Sequence, residues 1–97
     1  MILTEEQLYC LNATCDDYEN LTSIIGDIAL STNKEIDVEQ AKLLLKQLLE
    51  LKLLDIFTYD IVSQEYKKQT GSIGAIDSYW FYITDKGRSM LDEQWQE

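Results

Sequence analysis

Residues 54–91 constrain this chain most. Asp55-Ile56-Phe57-Thr58-Tyr59-Asp60-Ile61-Val62 alternates and is rich in β-branched and aromatic residues, which predicts a strand over 55–62. Tyr79-Trp80-Phe81-Tyr82-Ile83 predicts a second strand over 79–83. The stretch between them, 63–78, holds Lys67, Lys68, Gly71 and Gly74 among small polar residues and reads as the loop of a hairpin. Thr84 offers a hydroxyl cap for a closing helix over 85–95, whose Met90, Leu91 and Trp95 would return to the core. Gly87 sits near the start of that helix, where it lowers helix propensity by ~1 kcal/mol relative to alanine. A lone hairpin is marginal in water, so it must bury one face against helices from the rest of the chain.

Three helices are predicted before it. Thr4-Glu5-Glu6-Gln7 has the form of a capping box, and Leu8, Leu11 and Cys15 follow at helical spacing, giving a first helix over 5–14. Asp16-Asp17-Tyr18-Glu19 places acids at the start of a second helix, with Leu21, Ile24, Ile25 and Ile28 on one face as far as Leu30. Asp37, with Gln40 three residues on, caps a third helix over 37–52. Its apolar stripe is Ala41, Leu44, Leu45, Leu48 and Leu51, and Leu43 falls among the polar residues of the opposite side. The expected fold is α+β: a three-helix core, a two-stranded β-hairpin and a short C-terminal helix, all in one domain, 1–97.

Composition narrows the chemistry. The chain has no histidine and two cysteines, Cys10 and Cys15, which is too few ligands for a structural zinc. The commonest general base near neutral pH is therefore missing, and neither enzyme activity, metal nor cofactor is expected. Asp16-Asp17 and Asp92-Glu93 are neighbours that do not converge on a substrate, and read as a helix start and a solvated end. Gly71-Ser72-Ile73-Gly74 lacks the lysine and following helix of a phosphate cradle. The two cysteines are expected to be buried as small apolar side chains. No apolar run approaches the ~18 residues of a membrane span, and the first residues lack a secretory leader's basic and apolar regions. A cytoplasmic location is the resulting expectation. The acceptor patterns at Asn12 and Asn20 are then chance matches.

The formal net charge is -10, and it is unevenly spread. Residues 1–33 carry Glu5, Glu6, Asp16, Asp17, Glu19 and Asp27 with no lysine or arginine, whereas residues 34–54 are balanced. Such a balance opposes binding to nucleic-acid phosphates.

Helix, hairpin and closing helix in this order resemble the winged-helix superfamily, in particular small bacterial regulators of the MarR and PadR kind. The likeness is carried by Leu48-Leu49-Glu50-Leu51-Lys52-Leu53-Leu54 and by Ile83-Thr84-Asp85-Lys86-Gly87-Arg88-Ser89-Met90-Leu91. The resemblance implies a recognition helix at 37–52 and a wing at 63–78. In DNA-binding relatives that helix enters the major groove and the wing touches backbone or minor groove. The DNA-contact candidates are then Gln40, Lys42, Lys46 and Gln47 on the helix and Lys67 and Lys68 on the wing. Neither segment has an arginine, the usual reader of guanine; the only one in the chain is Arg88, in the closing helix. Leu43 and Gln47 on the recognition side, with Trp80 and Tyr82 on the second strand, are the protein-interface candidates. The expectation is a regulatory or adaptor module that contacts another protein or itself, as a homodimer. Sequence-specific DNA binding is the alternative, and acidic mimicry of nucleic acid is a third reading.

Overall fold

A computed structural model describes residues 2–70 and 74–95. The glycine-containing segment 71–73 of the predicted loop lies outside the described residues. In chain order the elements are α1 (Glu5–Ala13), β1 (Glu19–Asn20), α2 (Leu21–Thr32), α3 (Val38–Glu50), β2 (Leu54–Asp60), β3 (Glu65–Lys68), β4 (Trp80–Ile83) and α4 (Asp85–Gln94). A single 3-10 turn, Ile76–Ser78, precedes β4.

Each helix starts on a side chain suited to the task. Thr4 and Gln7 form a reciprocal capping box at α1: the Gln7 amide donates to Thr4 Oγ1 at 3.2 Å and the Thr4 amide to Gln7 Oε1 at 2.9 Å. Asp37 and Gln40 repeat the device at α3. Thr84 caps α4, accepting from the Gly87 amide at 3.0 Å and donating to Lys52 O at 2.8 Å. One hydroxyl thus closes one helix and ties it to the exit of another. The α3 exit is a Schellman turn: Lys52 takes a left-handed φ of 62°, and the amides of Leu53 and Lys52 donate to Leu48 O and Leu49 O.

The second helix begins later than the sequence predicts. Asp16 and Asp17 do not start it; Asn20 does, its Oδ1 accepting from the Ser23 amide at 2.9 Å. Glu19 and Asn20 are extended and form β1 against Phe81 and Trp80. Aspartate and asparagine cap equally well, so the start is decided by the strand partner that holds Glu19 and Asn20 extended against Phe81 and Trp80.

The sheet has four antiparallel strands, ordered β1-β4-β2-β3, where two were expected. The tight hairpin is β2–β3, closed at Ile61–Gln64, so β3 occupies part of the predicted loop. The chain then passes through the 3-10 turn and returns as β4 on the other side of β2. Ile61 and Val62, predicted to be strand, sit in the turn at 81% and 96% exposure.

Leu54 and Ile56 of β2 and Phe81 and Ile83 of β4 face the helices. They join Cys10, Leu11, Leu21, Ile24, Ile28, Ala41, Leu45, Leu48, Leu53, Ile76 and Leu91 in one buried cluster. Phe81 is fully buried at its centre, which contributes roughly 1.5–3 kcal/mol relative to exposure. Trp95 packs edge-on against Tyr9 at 5.1 Å, and Met90, Leu91 and Trp95 return to the core as expected. Gly87 lets α4 approach: a Cβ there would collide with Leu53 O and meet Ile83 Cγ1 at 2.9 Å.

Candidate functional site

The side chains proposed from the sequence fall on two surfaces. Alternation along β2 and β4 sends Phe57, Tyr59, Trp80 and Tyr82 to the sheet face opposite the helices, and Tyr66 joins them from β3. These side chains do not form an open patch. Tyr18, from the segment between α1 and β1, lies over them. Its ring stacks on Tyr66 with centroids 4.0 Å apart and planes within 10°. It also meets Phe57 edge-on at 4.9 Å and Tyr82 at 5.0 Å. Tyr66 in turn contacts Tyr59 and Trp80. Desolvation raises the Tyr66 phenol above its ordinary value, with the nearby Asp17 carboxylate adding to it. Trp80 and Tyr82 are half-buried members of this cluster.

Arg88 fastens the cover. Its guanidinium donates to Cys15 O at 2.8 Å and to Tyr82 Oη at 3.2 Å, with its carbon 5.9 Å from the Tyr82 ring centre. The one arginine of the chain is therefore engaged internally.

Leu43 belongs to the other surface. It projects from the middle of α3, 57% exposed, away from the core that joins α3 to the sheet. Beside it runs a groove of about 420 Å³ between α3, the start of α1 and the segment joining α2 to α3. Leu43, Leu44 and Ile36 supply its apolar part; Thr4, Gln40 and Gln47 supply polar groups, and Glu6, Lys34 and Glu35 its charges. The structure thus brings Leu43 and Gln47 together and separates both from Trp80 and Tyr82.

The DNA-contact candidates are largely committed to intramolecular partners. Lys67 Nζ is 2.9 Å from Asp60 Oδ2, and Lys68 Nζ is 3.5 Å from Asp55 Oδ2. Lys42 lies 3.9 Å from Glu39, a long contact. Gln40 is held in the α3 capping box, and Gln47 Oε1 accepts from Gln7 Nε2 at 3.3 Å. Lys46 is exposed on α3.

Two further features were not read from the sequence. Asp60 closes the β2–β3 turn: its Oδ1 accepts from the Val62 and Ser63 amides at 2.9 and 3.4 Å. The Lys67 ammonium and these amides hold its carboxyl down at about 2. Near the other end of the molecule Asp16, Glu19 and Asp27 line a shallow depression with Tyr9 and Leu30. Burial, followed by repulsion from Asp27, raises Glu19.

Cys10 is buried, and desolvation pushes its thiol up to about 12. Cys15 is only half-buried, against expectation, because it lies beyond the α1 C-cap at Thr14 and so leaves the apolar face of that helix; burial and the Asp16 carboxylate raise its thiol. Both are free thiols. Among the described residues no group of His, Cys, Asp and Glu could hold a metal ion, and no helix is long and apolar enough to cross a membrane. The chain matches no family model, no curated protein and no solved structure.

Proposed function

We propose that this chain is a non-enzymatic winged-helix module acting in a regulatory or adaptor role through protein–protein contacts. The element order, helix-strand-helix-helix followed by antiparallel strands with the first strand joined to the last, supports the winged-helix reading. The observation that carries the function is Leu43. It stands exposed at the middle of the helix that would do the recognising, beside a groove of mixed apolar and polar lining. An exposed apolar side chain beside a groove offers area that a partner can remove from water. The lysines that would meet phosphate on the wing are each paired with an acid of the same hairpin.

The test compares wild type with Leu43→Asp as bait in lysate of the source cells. A protein retained by the first and lost by the second is the expected result. Loss of Leu43 should leave stability within about 0.5 kcal/mol, since the residue is exposed. Retention of every captured protein by the variant would count against this surface. Fluorescence anisotropy with mixed-sequence duplex at ~50 mM salt addresses the alternative of DNA binding, because even non-specific affinity is measurable there. No binding is expected.

A further inference from the structure

The sheet ends at β3, whose far side pairs with no described element. The Gln69 amide donates to Ile56 O at 2.8 Å, which fixes the alternation of this ladder. Residues 65, 67 and 69 direct their backbone groups to β2; Tyr66 and Lys68 direct theirs outward. The open edge therefore presents a donor and an acceptor from each of these two residues.

We propose that this edge pairs with the same edge of a second copy, antiparallel and two-fold symmetric about Tyr66. The proposal rests on the protein-contact reading above, for which it names a partner and a second surface.

Charge complementarity selects both the occupant and the register. A two-fold axis perpendicular to the sheet keeps like faces together, so partners must have the same parity. With Tyr66 opposite Tyr66 of the second copy, Glu65 lies opposite Lys67 and Lys67 opposite Glu65. A slip by one repeat in one direction puts Lys67 against Lys67; in the other direction it puts Glu65 against Glu65. Only the centred register brings unlike charges together at both positions. It also makes Tyr66 a hydrogen-bonded pair, as its outward backbone requires. The sequence Glu-Tyr-Lys is thus its own complement. Lysines normally guard sheet edges by repulsion. Here Lys67 is already countered by Asp60 and Lys68 by Asp55, which removes that repulsion. The Lys67 ammonium has donors enough for Asp60 and for Glu65 of the partner.

So short a strand buries less than a standard interface, and a weak dimer is expected, dissociating at ~0.1–1 mM. Sedimentation equilibrium of the full chain up to ~1 mM reads this directly. Glu65→Lys and Lys67→Glu each replace two attractions by two repulsions, and each should weaken self-association about tenfold. An equimolar mixture of the two variants should recover it, because both cross-strand pairs are then Lys–Glu. Glu65→Lys leaves the Asp60–Lys67 pair in place and keeps the test decisive if Lys67→Glu disturbs the hairpin. A wild-type chain that remains monomeric, variants that associate like wild type, or a mixture no stronger than its components would overturn the pairing. Leu43→Asp leaves this edge untouched, so its effect on captured proteins judges the α3 surface separately.

Discussion

The ring of Tyr18 is stacked on the ring of Tyr66, 4.0 Å between centroids, across 48 residues of sequence. Tyr18 comes from the segment after α1, and Tyr66 from the edge strand. Their contact is what covers the sheet face that the helices leave open. Tyr18→Ala removes three ring contacts at once, to Tyr66, Phe57 and Tyr82. A loss of about 2 kcal/mol is expected, measured as a lower urea midpoint at unchanged slope. Tyr18→Phe should lose less than half of that.

Gly87→Ala tests the close approach of α4. Alanine would raise helix propensity by ~1 kcal/mol in an open helix. Here its methyl would collide with Leu53 O, a backbone atom held by the Thr84 amide, which donates to it at 3.0 Å. The expected outcome is a net destabilisation of about 1–3 kcal/mol in thermal or chemical unfolding.

The Asp60 carboxyl titrates low, at about 2, because Lys67 and two amides hold its charged form. A carboxylate depressed in the folded state stabilises fully above its unfolded value of ~3.9. That contribution is lost as pH falls from there through about 2, so the hairpin loosens only in strong acid. Carboxyl carbon shifts followed by NMR check the value. Lys67→Ala should move it up towards the unfolded one.

Thiol reactivity should divide the two cysteines. Cys10 is buried with its thiol at about 12 and should react with a disulfide reagent only on unfolding. Cys15 is partly accessible and should react slowly in the folded protein, faster at alkaline pH because its thiol too is raised. Counting thiols before and after denaturation gives one and then two.

Local signals in the sequence were strong where one side chain decides. Thr4, Asp37 and Thr84 were legible as caps because a short oxygen acceptor before an apolar period has few other uses. The leucine face of α3 was legible by period. The strand at 65–68 was hidden because its four residues include two lysines and a glutamate and only one β-former, Tyr66. What makes it a strand is its pairing with β2, a non-local fact. Asn20 was obscured by the acids before it, which look equally like a helix start. Leu43 and Gln47 fall on one surface, but Trp80 and Tyr82 do not share it: alternation gives the face of a strand and not what lies over that face.

Arg88 joins Cys15 O, three residues before the covering Tyr18, to α4. The Leu3 amide likewise donates to Gln94 Oε1 at 2.8 Å. Terminal helices commonly fray on their own, exchanging amide protons long before the interior does. In this molecule peeling away α4 would also release the aromatic roof of the sheet. Amide exchange in α4 and the near-ultraviolet signal of the tyrosines should therefore report a single opening event with one free energy.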